Sequence, residues 1–287
     1  SRLRQTGGII LGKTNASHFG HNFSADNLVA PVGRNPWRLD RTPGGSSGGA
    51  AAAVAAGLGP VAHGSDGGGS IRVPACWCGV FGLKPSSGRI PSFPNSDYWG
   101  GAATSGPLAR TVRDAALLLQ VMAGPDPRDP LSIDAPPDDY LAACDGDLSG
   151  LRVAWSADFG YAPVDPEIRE ITAAAARRFA EFGCVLEEAD PGWADPASWH
   201  CALAYPGALA HWADMAIEHI DWIEPSMMWQ IVAGTKYSLM DYFKARSARS
   251  AFYDDVRRFF ERYDLLLTPM MPVTAWACKS GAEPMEI

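Results

Sequence analysis

Several things are scarce in this 287-residue chain, and each scarcity excludes something. Six cysteines are too few for a disulfide scaffold. Cys76 and Cys78 are one residue apart, which is not a metal-ligand pair spacing, and the other four are scattered. Buried free thiols are therefore expected. Positive charge is short: 24 Lys and Arg face 32 Asp and Glu, for a net charge of −8. That balance argues against nonspecific binding to nucleic acid or to an anionic membrane, both of which want a basic face. No apolar run approaches the ~20 residues needed to span a bilayer. There is no repeat of fixed period and no low-complexity linker. With 47% hydrophobic and 20% charged residues, the composition is that of a globular protein rather than a disordered one. Domains run ~100–200 residues, so the length fits one large domain or two small ones. An initiator Met is lacking as well. The chain opens Ser1-Arg2, Ser1 to Ile10 reads like the middle of an element, and the last residue follows a Pro-containing stretch. Both natural ends are expected to lie outside it, which leaves targeting signals illegible.

What is abundant is glycine, at 30 residues, and proline, at 23. Along the chain, Arg2, Leu3 and Arg4 read as a basic helix end, Gly7-Gly8 as a turn, and Ile9–Leu11 as a short strand. Serines followed by alanines to Gly57 predict a small-residue helix placed centrally, because small side chains admit close backbone approach. Thr111 with Asp114 three residues on predicts a capped helix to Gly124. Leu151–Trp155 reads as a strand. Asp165-Pro166 starts a helix that Gly183 ends, with Ile168, Ile171, Ala175, Phe179 and Phe182 as its buried face. Met240 to Tyr263 is a longer helix with Phe252, Val256, Phe259 and Tyr263 on one stripe, and Leu265–Leu267 is a buried strand. Strands alternating with helices indicate an α/β fold. Residues 193–229 hold five of the ten tryptophans. They fit a helical layer packed on a sheet, an aromatic-lined substrate pocket, or both.

Much of the glycine falls in one window. Thr42-Pro43-Gly44-Gly45-Ser46-Ser47-Gly48-Gly49 is followed by Gly64-Ser65-Asp66-Gly67-Gly68-Gly69-Ser70-Ile71-Arg72-Val73-Pro74. A phosphate-binding loop needs Gly-Lys-Ser/Thr, and no Lys follows either cluster. Gly44-x-Ser46-x-Gly48 formally matches a nucleophile elbow, a weak signal where Gly and Ser are dense. His200, His211 and His219 would have to complete it, and none sits in a loop of catalytic character. His18 and His21 lack an acidic or Cys partner nearby, so a metal pair is not expected.

Taken with Cys78-Gly79-Val80-Phe81-Gly82-Leu83-Lys84-Pro85, this window resembles the amidase signature family. Gly12-Lys13-Thr14-Asn15, Gly106-Pro107-Leu108-Ala109-Arg110 and Asp264 through Pro269 agree with it. Pro60-Val61-Ala62-His63-Gly64 looks like the branch holding 6-aminohexanoate cyclic dimer hydrolase. The resemblance implies a mixed central β-sheet covered by helices on both faces. It implies a single domain over 1–287, with a signature core at 1–125 and a helical, aromatic-rich substrate side at 190–262. It also implies a Ser–cis-Ser–Lys triad, with Ser70 as nucleophile and Ser46 as the bridging serine after a cis peptide bond.

The chemistry is consistent with that assignment. A serine hydroxyl is a poor nucleophile without a base. A neutral lysine can take its proton through Ser46, provided burial or neighbours lower the lysine pKa. Attack on an amide makes an oxyanion that needs preorganised donors, and Gly67, Gly68, Gly69 and Ser70 offer consecutive N–H groups. By the resemblance, Asp66 and Arg72 are expected to hold this loop through a buried network, with an anchor for a substrate carboxylate as the other reading for Arg72. Ser47 either supports the site or simply caps the following helix. The catalytic lysine of the family lies in a Lys-Asp-Asn-like motif, expected upstream of residue 1. Lys13, Lys84, Lys236, Lys244 and Lys279 are not assigned to that role. Position 67 is Gly where many members carry a larger residue, and Ala16-Ser17-His18-Phe19 departs from a frequent Met-Pro-Glu-Phe-like run. The implied protein is a serine amidase without metal or cofactor, acting on a small apolar, aryl or cyclic amide. No nucleic acid or membrane partner is expected, the cytoplasm is the default location, and a homodimer is left open. The alternatives are the glutaminase component of a tRNA-dependent amidotransferase and an inactive truncated homologue.

Overall fold

A computed structural model describes residues 2–95, 97–99, 101 and 103–278. Lys279 and the residues after it lie outside the described part. The described residues form a mixed α/β protein of two compact units, one of residues up to 146 with 275–278, the other of 147–274.

The first unit is built around an antiparallel sheet of order β1-β3-β2. Helix α1 (Arg2–Gln5) precedes it, as the basic helix end predicts. Ile9–Leu11 is not a strand: the three side chains are exposed and no ladder forms there among the described residues. A short apolar run becomes a strand only where a neighbour takes up its N–H and C=O groups. Helix α2 (Gly48–Ala55) is the predicted small-residue helix, and Gly57 ends it at φ +75°. Strand β1 (Val61–Asp66) runs into a turn and then α3 (Arg72–Cys78). After β2 (Phe81–Gly82), β3 (Thr104–Ala109) pairs with β1 from Val61 opposite Ala109 to Asp66 opposite Thr104. Ala50, Ala51, Ile71, Ala75, Cys78 and Leu108 make the core between α2, α3 and β3. Full burial of Ile71 and Leu108 contributes about 1.5–3 kcal/mol each. Helix α4 (Val112–Met122) is capped as predicted: Thr111 Oγ1 accepts from the Asp114 N–H at 3.1 Å. A single turn, α5 (Tyr140–Ala143), closes the unit.

The second unit holds a parallel sheet of order β5-β4-β6. Its strands are β4 (Arg152–Trp155), β5 (Val185–Glu188) and β6 (Leu265–Leu267). Parallel neighbours need a crossover, and α6 (Pro166–Arg177) supplies the one from β4 to β5. Asp165 caps α6, accepting from the Glu167 N–H at 2.9 Å, and Gly183 turns the chain at φ +81°. The buried face of α6 differs from the expected stripe. Ala176 is its buried residue, Ile168, Thr172 and Phe179 are half-covered, and Ile171, Ala175 and Phe182 are exposed. A true 3.6-residue repeat runs 168-172-176-179, and the helix tightens to a 3-10 turn from Arg178, which rotates Phe182 away. Helices α7 (Ala197–Glu218), α8 (Pro225–Gly234) and α9 (Leu239–Phe259) form the helical stretch. Met227, Ile231, Ala216 and Ile223 pack with Trp212 there. Trp193 meets Phe252 and Phe259 edge-on at 5.5 Å, whereas Trp222 and Trp229 stay exposed. Arg152 forks onto the Asp264 carboxylate at 3.1 and 2.8 Å, tying the start of β4 to the residue before β6.

Candidate active site

Two glycine-rich turns, at 44–49 and 64–70, meet in the first unit. The Gly45–Ser46 peptide bond is cis. The Ser47 N–H donates to the Ser70 carbonyl at 3.1 Å, so two serine sites remote in sequence share a backbone contact. Ser46, Ser47 and Ser70 are all buried. The Ser47 side chain does not cap α2. Its hydroxyl exchanges hydrogen bonds with the Ser65 backbone instead, donating to O and accepting from N, each at 3.2 Å. It therefore fastens the head of α2 to β1. A β-carbon on Gly64 would stand 2.9 Å from both Ser47 Oγ and Leu108 Cδ1, so this approach requires glycine.

Asp66 organises the turn that carries Ser70. Its carboxylate is fully buried and accepts from the N–H groups of Gly69 (2.7 Å), Ile71 (3.1 Å) and Arg72 (3.3 Å). The Arg72 guanidinium grips it with two parallel bonds, Nε to Oδ2 and Nη2 to Oδ1, both 2.9 Å. Burial alone would raise the Asp66 pKa. The Arg72 bonds and charge, with the Ile71 and Gly69 amides, outweigh it and hold the carboxyl below its ordinary value. The same bonds raise the Arg72 pKa. The carboxylate end of this network is buried, whereas the Arg72 side chain is 42% exposed.

One expectation for this turn needs correction. The Gly69 N–H is spent on Asp66 and is not open to a bound oxyanion. A buried carboxylate claims the nearest donors because leaving it unsatisfied is costly. The amides of Gly67, Gly68 and Ser70 make no hydrogen bond to other described residues. At Gly67 a β-carbon would meet Ala103 at 3.6 Å, ordinary contact, so glycine is not sterically demanded there.

A segment that the sequence does not mark wraps the other side. The Ser17 N–H donates to the Ser46 carbonyl at 3.2 Å, and the buried Ser17 hydroxyl donates to the carbonyls of Asn22 (2.8 Å) and Ser24 (2.5 Å). A β-carbon on Gly45 would lie 2.6 Å from the backbone N and O of Ser24. Phe23 lies against Gly69. The only sequence signal is a departure from a family run at 16–19, which says nothing about contact.

Lys84 is half-buried, and its Nζ donates to the Pro85 carbonyl at 3.2 Å. Burial lowers its pKa; the Asp66 charge opposes this and the Arg72 charge adds to it. Lys13, Lys236 and Lys244 are exposed. The His21 Nδ1 lies 2.6 Å from the His18 carbonyl, and among the described residues no three His, Cys, Asp or Glu side chains gather as a metal site. Cys78 is packed under the site, its thiol pushed up to about 12 by burial. No helix among the described residues is long and apolar enough to cross a membrane.

The amidase family model matches residues 1–284. The chain is 41% identical over 276 residues to an acylamidase of Rhodococcus erythropolis, spanning 94% of this chain and 57% of that one. It is 34% identical over 306 residues to a glutamyl-tRNA(Gln) amidotransferase subunit from a Marinomonas species, spanning 98% of this chain and 63% of that one. A bacterial aryl acylamidase of the amidase signature family superposes with a TM-score of 0.90 at 34% identity, covering 98% of this chain and 60% of that one. 6-Aminohexanoate cyclic dimer hydrolase superposes with a TM-score of 0.82 at 32% identity, covering 91% of this chain and 57% of that one. The chain therefore spans somewhat over half the length of these relatives. With the full signature window and the matching fold, it belongs to the amidase family, the amidase signature enzymes.

Proposed function

We propose that this chain carries the nucleophile and the oxyanion turn of a serine amidase that hydrolyses a carboxamide to a carboxylic acid and an amine. The observation that carries the reading is the junction of the two serine turns, where the Ser47 N–H meets the Ser70 carbonyl beside the cis Gly45–Ser46 bond. Ser70 Oγ attacks the amide carbon and its proton passes to Ser46. The carbonyl oxygen becomes an oxyanion facing the amides of Gly67, Gly68 and Ser70, the donors left open by Asp66. The C–N bond breaks as Ser46 hands a proton to the departing nitrogen, leaving an acyl-Ser70 ester. Water then attacks the ester, releases the acid and restores the Ser70 hydroxyl. Asp66 and Arg72 act as positioning residues, holding the turn rather than touching substrate. The family resemblance implies a neutral lysine as the final base behind Ser46, and none of Lys13, Lys84, Lys236 and Lys244 is proposed for it.

The substrate class is a small apolar, aryl or cyclic amide. Its support is the acylamidase likeness, nearer in identity than that to the amidotransferase component, which is the alternative reading. We place the signature core in residues 1–125 and a substrate-side layer in 190–262. Six free thiols favour a reducing compartment, the cytoplasm. A homodimer remains the simplest assembly. A fluorophosphonate probe tests the reading: the whole protein is expected to be labelled at Ser70, and Ser70→Ala is expected to lose both label and amide turnover. Turnover retained by Ser70→Ala would overturn the assignment.

A further inference from the structure

The turn at Phe19–Gly20 lies against the hydroxyl of Ser46. A β-carbon built on Gly20 would stand 3.6 Å from Ser46 Oγ and 3.9 Å from Ser46 Cβ, with no other atom within 4 Å. Gly20 itself is exposed, whereas Ser46 is buried. The backbone here is unusual in a second respect. Gly20 has φ +75°, and Phe19 before it has φ +47°, a left-handed conformation that non-glycine residues seldom adopt. Two bonds hold the turn in place, from the Ser17 N–H to the Ser46 carbonyl (3.2 Å) and from the His18 N–H to the Asp26 carbonyl (2.9 Å). The chain thus holds a left-handed turn beside Ser46 and leaves it without a side chain.

The chemistry gives that gap a meaning. If Ser46 Oγ protonates the departing nitrogen, that nitrogen must come within about 3 Å of it. Any carbon substituent on the nitrogen then lies one bond further out, in the shell around Oγ that a Gly20 side chain would enter. Carbon atoms approach no closer than about 3.5 Å without repulsion, so a β-carbon and a substituent carbon compete for this volume. We propose that Gly20 is a specificity-determining position that admits N-substituted carboxamides, anilides and lactams among them, by keeping the leaving-nitrogen side of Ser46 open. The inference rests on the serine amidase reading and adds to it which side of the site sets the substrate class.

The test uses Gly20→Ala and Gly20→Asn in the whole protein. Asn tolerates the left-handed backbone, so its effect reports bulk more than strain. Three quantities are measured: kcat/KM for a primary amide, kcat/KM for the anilide of the same acid, and the rate of Ser70 labelling by a small fluorophosphonate. The anilide-to-primary-amide ratio is expected to fall about tenfold or more in both variants, the scale of a misplaced carbon in a pocket. An unchanged ratio overturns the inference, and so does a loss of labelling as large as the loss of anilide turnover, which marks a collapsed turn. A wild type labelled at Ser70 that cleaves the primary amide alone overturns the Gly20 assignment and leaves the serine mechanism standing. A wild type neither labelled nor active on either amide overturns the serine reading and this inference with it.

Discussion

The Asp66–Arg72 pair offers a direct test of what holds the Ser70 turn. Replacing Arg72 by Leu leaves a fully buried carboxylate with its three backbone donors but without its cation. Removing one partner of a buried ion pair costs about 3–5 kcal/mol. Here the Arg72 side chain is 42% exposed, so water already screens one end. With that discount, and with the amides still in place, the expected loss is about 2–3 kcal/mol at pH 7. The pH dependence separates this cause from lost packing. In the wild type the folded Asp66 carboxyl titrates below the unfolded one. Its stabilisation is therefore complete above an unfolded value of about 3.9 and disappears as pH falls through the folded value. Without Arg72, burial is opposed by amides alone and the folded pKa moves up. A protonated Asp66 has no need of the cation, so the deficit of Arg72→Leu is expected to narrow as pH falls through the range in which the carboxyl takes up its proton. Urea denaturation of both proteins from pH 7 down through the carboxylate range reads the deficit, and exchange rates of the Gly69 and Ile71 amides report the turn itself. A deficit below about 0.5 kcal/mol, the range of ordinary surface substitutions, would refute the reasoning. So would a deficit that does not change with pH.

Other outcomes follow from the same contacts. Gly45→Ala places a β-carbon 2.6 Å from the Ser24 backbone and is expected to cost more than about 2 kcal/mol by thermal denaturation. Gly67→Ala meets Ala103 as its nearest neighbour at 3.6 Å and is expected to stay within about 0.5 kcal/mol of wild type in the same assay. Equal effects of the two would remove the steric argument. Thr111→Ala forfeits the cap of α4 and is expected to lose about 1 kcal/mol, largely restored by Thr111→Ser. Iodoacetamide at pH 8, followed by peptide mapping, is expected to modify the exposed Cys144 long before Cys78, whose buried thiol is pushed up to about 12. Early modification of Cys78 would show that the layer beneath the site is open.

Elements with strong local punctuation are legible in the residues themselves. Thr111 with Asp114 and Asp165-Pro166 fall where the sequence predicts them, because caps depend on neighbours in sequence; the strand at Leu265–Leu267 is also present, but Leu265 is exposed and its neighbours are half-buried. The face of α6 is not legible in this way, because exposed Ile171 and Phe182 match a helical spacing as well as the covered residues do. Nor is the state of Ile9–Leu11, because a strand needs a partner that sequence spacing does not supply.

The same division runs through the site. The sequence by itself determined the family and the two glycine-rich serine segments, with Asp66 and Arg72 expected, by resemblance, to hold the second of them. Only the tertiary structure decided that the Gly69 N–H belongs to Asp66, that Ser47 fastens α2 to β1, and that Gly20 lies beside Ser46 Oγ. These are contacts in which a missing β-carbon or the direction of a single N–H matters. Their value depends on distances of a few ångströms between segments remote in the chain, which no local pattern encodes.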